Sequence, residues 1–356
     1  MTVYLSHISA LEFWAGSRIG SDILAQRKLG KLTPSWSRRA SLPDEHPLTA
    51  SEIQRCSDQI DTPLSKPVHS LVCRPESRTR WRGAICHVNS KPLPRGSLIR
   101  VSDKIFISSP ELCFVQMATE LPLSELIKLG CELGGTYGIP TIGHIDYSLK
   151  HSYTTFIHLE RFLKQANILP GSVKARKAFA HIVFNSASPM ETLLVMLLCL
   201  PLRMGGYGLP KPYMNRRIVP QNRSGFVSNT TCYYCDLLWP DAAVALEYDS
   251  FEFHGTRQAH ADDAKRRTEL FARNIVVISV TGRTVRNLLE LDTVARTLAK
   301  RLHVRLRNNS ESWRSAQHKL QGTLLTLARE SERLQMTRTN NSARLGLALE
   351  SDNGLK

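Results

Sequence analysis

No stretch of this chain is apolar for long enough to cross a bilayer. The longest such run, LLVMLLCLPL from Leu193 to Leu202, is about half the length that a spanning helix needs, and it contains Pro201. The N-terminal MTVYLSHISALEFW lacks a basic start followed by an apolar core, so no secretory leader is expected. These two absences predict a cytoplasmic protein with no membrane partner, whose eight cysteines are reduced thiols. Paired-cysteine zinc patterns are missing as well. The one close pair is Cys232-Tyr-Tyr-Cys235, with no second pair and no suitable His, and on a strand its two thiols would point to opposite faces. Buried thiols are the expectation. Acid is locally absent too: Thr192 to Cys235 holds no Asp or Glu, yet it carries Arg203, Lys211, Arg216, Arg217 and Arg223.

That local deficit sits inside a global one. Lys and Arg total 47 against 31 Asp and Glu, a formal charge of +16. An excess of this size favours a polyanionic partner, nucleic acid first. An anionic membrane surface is a weaker fit, because no basic amphipathic helix carries Trp and Phe on its other face. The 356 residues suffice for two or three domains, and 42% hydrophobic with 22% charged residues is ordinary globular composition.

Residues 1 to about 45 combine a short amphipathic piece, Ile8 to Trp14, with a basic Ser-rich stretch around Ser35 to Arg39. Residues 46 to 107 read as β or irregular, with strand-like HSLVCR (from His69) and SLIRVSDKIFIS (from Ser97). Between them Arg74, Arg78, Arg80 and Arg82 fall on even positions. On a strand they would share a face, either as a phosphate-facing strip or as a solvated edge protected by charge. Ser108-Ser109-Pro110-Glu111 has the pattern of a capping box opening a helix. The Gly- and Pro-containing residues 136–150 mark a domain boundary. Beyond it come helical patterns at Thr155 to Gln165 and Val173 to Phe184, then SPMETLLVMLLCL. Strands follow at Asn215 to Val219, Thr231 to Leu238, Ala243 to Asp249 and Ile275 to Thr281, with a helix over Ala261 to Arg273 before the last. Helix, three strands, helix, strand is an α/β core. Helical patterns then cover Arg283 to Arg307 and Ser310 to Gln335.

The segment CDLLWPDAAVALEYDSFEFH, Cys235 to His254, concentrates acid on an apolar hairpin. Symmetric pairing about Trp239-Pro240-Asp241-Ala242 sets Asp236 opposite Glu247, and Asp249 shares the face of Glu247. Like charges so placed need a shared proton, a cation or solvent. A divalent ion with hard oxygen ligands, Mg²⁺ or Mn²⁺, answers that need with Asp236, Glu247 and Asp249 as ligands. The reading depends on register, since one extra turn residue would send Asp236 and Glu247 to opposite faces. Glu191 is a fourth acid, which also completes a capping box with Ser188.

SPMETLL, NRRIV, YYCDLLWP, VALEYDSFEFH and DDAKRRTELFARNIVVISVT together resemble the PD-(D/E)xK nuclease superfamily, in the branch related to very-short-patch-repair endonucleases. The resemblance covers roughly Ser186 to Thr281. It implies a restriction-endonuclease-like core, a mixed sheet flanked by helices, in which Glu191, Asp236 and Glu247 surround the metal. The motif Lys two residues after the third-strand acid is replaced here by Asp249. The resemblance gives His254 a proton-transfer or phosphate-holding role, and sets Arg266, spaced Asp-x-x-Arg from Asp263, near a phosphate. The plain alternatives are a polar strand end for His254 and a local ion pair for Asp263 and Arg266. Lys211, Arg216 and Arg217 belong to the basic segment that would position the nucleic-acid backbone.

SLIRVSDKIFISSPELCFVQMA is faintly similar to the C-terminal part of abortive-infection antitoxins of type IV toxin–antitoxin systems, in which a β segment leads into a Ser-Pro-Glu helix. The expected organisation is an α+β domain over 1–150, a nuclease-like core over 151–306, a basic helix over 307–335 and a frayed tail over 336–356. The expected activity is metal-dependent hydrolysis of nucleic-acid phosphodiesters, DNA in particular. The rival expectation is a nucleic-acid-binding regulator or defence component on an inactive nuclease core.

Overall fold

The computed structural model describes residues 2–29, 42, 49–139, 152–218, 233–249, 268, 270–307 and 310–326. They belong to two compact units, one built on Met1–Ile182 and the other on Val183–Arg329. No described helix is long and apolar enough to cross a membrane. Among the described residues, no cysteine is joined in a disulfide.

The first unit opens with β1 (Val3–Leu5), α1 (His7–Gly16), α2 (Arg18–Lys28) and α3 (Ala50–Gln59). Next come β2 (Val68–Val72), β3 (Ala84–Val88), β4 (Leu98–Ser102) and β5 (Ile105–Ser108). It closes with α4 (Pro110–Glu120), α5 (Leu123–Leu133), α6 (Phe156–Gln165) and α7 (Ser172–Phe179). Its sheet has the order β3-β2-β1-β5-β4, with β1 parallel to β5 and β2 parallel to β3, while β1–β2 and β4–β5 are antiparallel. Helix α4 packs on α1, α5, α6 and α7 and is buried from Pro110 to Ala118.

Several expectations change here. Helix α1 is not amphipathic, because the polar Ser9 and Glu12 are buried along with Ala10, Leu11, Phe13 and Trp14, and the Trp14 indole N–H donates to Ser108 O at 2.8 Å. Ser109, not Ser108, caps α4, which makes Glu111 the second helical residue rather than the third. Its buried carboxylate reaches Arg27 Nη2 (3.0 Å) and Thr154 Oγ1 (2.5 Å) instead of closing a capping box. Arg74, Arg78, Arg80 and Arg82 are exposed, but they lie on irregular chain between β2 and β3, Arg74 and Arg78 flanking a 3-10 turn at Pro75–Ser77, so no strand face gathers them. The division between units falls at Ile182/Val183 rather than near 150, because α6 and α7 pack on α4 and complete its burial.

The second unit begins with α8 (Pro189–Cys199), an almost wholly buried helix, as its apolar sequence requires. Strands β6 (Tyr213–Ile218), β7 (Tyr233–Trp239) and β8 (Val244–Asp249) form an antiparallel meander, and β9 (Val276–Thr281) adds parallel to β8. The sheet order is β6-β7-β8-β9. A parallel β8–β9 pair requires a crossover. Of the expected crossover helix over Ala261 to Arg273, Thr268, Leu270 and Phe271 are described and helical, Ala272 and Arg273 form a turn, and Leu270 is buried against Ile218, Cys235, Leu238 and Ala245. The pattern over 283–307 is two helices, α9 (Gly282–Arg286) and α10 (Leu288–Arg301), broken at Asn287, whose side chain accepts from Leu289 N–H and Glu290 N–H. Residues 311–326 form helix α11. The Trp313 indole N–H donates to Gly206 O (2.9 Å), the Arg314 guanidinium pairs with Asp292 (2.8 Å), and Gln321 donates to Val285 O (2.8 Å). This helix is therefore part of the second unit. Gly205, at φ +90°, accommodates it closely: a Cβ there would lie 2.4 Å from Ala316 O.

Candidate functional site

The β7–β8 hairpin turns through Pro240–Ala242, with Ala243 in the left-handed region at φ +47°. Its ladder pairs Trp239 with Val244, Leu238 with Ala245 and Leu237 with Leu246. This is the symmetric register expected from the sequence; the ladder ends at Leu237 and Leu246, and continued by one step it would set Asp236 opposite Glu247. At that step Asp236 Oδ2 accepts the backbone N–H of Tyr248 at 2.8 Å. A carboxylate side chain thus meets a strand amide directly beyond the last ladder pair. Glu247 is buried, Asp236 is half-buried, and Asp249 is exposed at the end of β8.

Glu191 enters from the first turn of α8. Ser188 accepts the Glu191 N–H (3.2 Å) and donates its hydroxyl to Glu191 Oε1 (3.0 Å), while Ala187 N–H donates to Oε2 (2.8 Å). Capping by Ser188 is thus present, with the return arm on Ala187 N–H and the Ser188 hydroxyl. Asn215, held on β6 at φ +47°, donates Nδ2 to Glu191 Oε2 (2.7 Å) and to Asn185 O (2.9 Å). Burial nevertheless dominates and pushes the Glu191 carboxyl up to about 7. The nearby Asp236 charge adds to that rise, and the three donors oppose it. A buried acid beside a second acid either keeps a proton or takes a cation.

The donor set fits a hard divalent ion, since Mg²⁺ commonly takes one or two carboxylates and keeps several waters. A tighter cage is not assembled. Among the described residues, Glu191, Asp236, Glu247 and Asp249 do not bring three ligand atoms within 4.8 Å of one another; His7, His69 and His87 of the first unit do. Asp249 stands apart from Glu247 in exposure, because it ends the strand.

Arg216 and Arg217 are exposed on the edge strand β6, and Arg216 lies over the Tyr213 ring at 5.5 Å. Lys211 is exposed just before that strand. His254, Asp263, Arg266, Arg223 and Cys232 lie outside the described residues, as does the expected tail over 336–356. Sequence reasoning missed Asn215, whose role comes from a left-handed backbone on a strand that no local pattern announces. It also missed the three histidines, which are far apart in the chain and obey no ligand spacing. Among known proteins, the chain matches no family model, no curated protein and no solved structure.

Proposed function

We propose that the second unit is a restriction-endonuclease-like core that hydrolyses nucleic-acid phosphodiesters, with DNA as the substrate. The observation that carries the reading is the meeting of α8 with β7, the strand that pairs with β8. A buried Glu191 lies near the charge of Asp236, and Asp236 accepts the Tyr248 amide, on a ladder that, continued one step, would oppose it to Glu247. Order and direction of the elements support it: a buried helix, a three-strand antiparallel meander and a fourth strand parallel to the third.

Asp236 and Glu247 would hold Mg²⁺ or Mn²⁺, with Glu191 acting through water. When bound, such an ion acidifies water and stabilises charge on a phosphoryl group. The Tyr248 amide holds one oxygen of Asp236 in place. Burial of Glu247 limits how many waters compete for its carboxylate. Lys211, Arg216 and Arg217, all exposed on or beside β6, would draw the phosphate backbone toward the sheet edge.

The second reading, an inactive nucleic-acid-binding regulator, is favoured by Asp249 in the Lys position and by the open spacing of the carboxylates. Cleavage decides between them. Wild type, Asp236→Asn and Glu247→Gln are incubated with supercoiled plasmid, linear duplex and RNA, with Mg²⁺, Mn²⁺ or EDTA. The nuclease reading predicts metal-dependent cutting of DNA that either substitution reduces by more than about 100-fold, with binding retained. Wild type that binds nucleic acid yet cuts none of these substrates contradicts it and supports the regulator.

A further inference from the structure

The first unit holds a second constellation, unrelated to the carboxylates. Strands β2 and β3 run parallel with His69 beside Ile85 and Leu71 beside His87, so His69 and His87 are diagonal neighbours on one sheet face. His87 Nε2 lies 3.0 Å from His69 Nδ1. His7, at the start of α1, stacks on His87 with ring centroids 3.5 Å apart and planes inclined by 16°. One nitrogen from each ring can be chosen so that all three lie within 4.8 Å of one another. Ligand nitrogens around a tetrahedral Zn²⁺ are separated by about 3.3 Å, given Zn–N distances of about 2.0–2.1 Å. The His69–His87 separation needs only a few tenths of an ångström of adjustment to match.

The chain around His7 is fixed in a way that ordinary packing does not require. His7 itself is at φ +49°, a left-handed conformation that a non-glycine residue rarely adopts. Three hydrogen bonds hold the turn there. Ser6 N–H donates to His69 O (3.0 Å), His69 N–H to Ser9 Oγ (2.9 Å), and His7 N–H to Gln116 Oε1 (3.1 Å). Gln116 is in turn anchored by donating Nε2 to Ser108 Oγ (3.2 Å). On the ring, His7 Nδ1 meets Ser6 Oγ at 3.0 Å, which leaves Nε2 as the ligand atom, the arrangement by which outer hydrogen bonds orient metal-binding imidazoles.

His7 and His87 also line a cavity of about 460 Å³, together with Arg78, Gln116, Leu93 and Val115. Its walls are mainly apolar with a few polar groups, the character of a small-molecule site. Three protein nitrogens and a free side open to a cavity are the ligand count of a zinc site that keeps a position for water or substrate. We propose that His7, His69 and His87 bind one zinc-type divalent ion, with the remaining coordination position opening onto this cavity. An imidazole set selects Zn²⁺ or Co²⁺ over Mg²⁺, which sets it apart from the carboxylates of the other unit.

Metal-free full-length protein is titrated with Co²⁺ and with Zn²⁺, following visible ligand-field absorption for Co²⁺ and competition by Zn²⁺. The expected result is one equivalent of Co²⁺ giving the intense bands of a four-coordinate nitrogen site, displaced by Zn²⁺. These bands should vanish in the double variant His69→Gln, His87→Gln and persist in Asp236→Asn, Glu247→Gln. His7→Gln alone should weaken Zn²⁺ binding by more than about tenfold, the least that loss of a supporting partner costs at such sites. A measurement on wild type needs no variant to fold: Zn²⁺ should protect His69 and His87 from carbethoxylation, located by peptide mass spectrometry. No stoichiometric uptake, unchanged carbethoxylation, or bands that follow the carboxylate variant instead would overturn the site and leave three packed imidazoles.

Discussion

The Asp236 carboxylate accepts the backbone N–H of Tyr248 at 2.8 Å, one residue past the strand position that the hairpin register sets opposite it. The acid therefore has a structural duty besides any chemical one. Asp236→Asn retains an oxygen acceptor, whereas Asp236→Ala leaves a half-buried amide without this acceptor. Denaturant unfolding should show Asp236→Asn within about 0.5 kcal/mol of wild type and Asp236→Ala less stable by about 1–2 kcal/mol. Equal losses in both variants would mean that the hydrogen bond contributes little.

Glu191 makes a pH prediction with a definite sign. Folded Glu191 keeps its proton up to about 7, while an unfolded carboxyl releases it near 4.5. Between those values the native state binds more protons, so its stability falls as pH rises. Glu191→Gln stays neutral, and its amide can serve the same three partners. In EDTA, wild type should match the variant below about pH 4.5 and lose about 3 kcal/mol relative to it by about pH 7.5, at up to 1.4 kcal/mol per unit. Parallel stability–pH curves for the two proteins would rule out a raised Glu191.

On the edge strand, Arg216→Ala with Arg217→Ala tests the route by which nucleic acid approaches. If these side chains meet phosphates, the slope of log K against log salt, measured by fluorescence anisotropy, should shrink by about 2, roughly one per contact. An unchanged slope places the nucleic-acid surface elsewhere.

Helix α11 docks through Trp313, which is buried and donates to Gly206 O. Trp313→Ala should destabilise the second unit by about 3–5 kcal/mol, seen as a lowered denaturant midpoint. A loss below 1 kcal/mol would mean that α11 is dispensable to this core.

How much of this was readable in advance follows from which forces are local. The β7–β8 register was legible because Trp239-Pro240-Asp241-Ala242 can serve only as a turn, and apolar flanks fix the pairing around it. Ser188 as the cap of α8 was legible for the same reason: the bond spans three residues. Glu111 was misplaced because its partners, Arg27 and Thr154, are remote in sequence and compete with the local capping pattern. Asn287 breaks a helical pattern through its own side chain, which apolar periodicity does not register. Burial of Glu191 was hidden behind its capping role, since spacing reports neighbours along the helix and not the strands it faces. His7, His69 and His87 meet through β1–β2 and β2–β3 pairing, so topology alone brings them together.

Metal uptake by the carboxylates is the most direct test of the central reading. Full-length protein with a non-cleavable phosphorothioate duplex is titrated with Mn²⁺, and bound ion is followed by electron paramagnetic resonance. Wild type and the His69→Gln, His87→Gln variant should each bind Mn²⁺ in a manner that the duplex strengthens, and Asp236→Asn with Glu247→Gln should abolish that component. Wild type that takes up no Mn²⁺ with duplex present, or uptake indifferent to Asp236 and Glu247, would contradict the nuclease account.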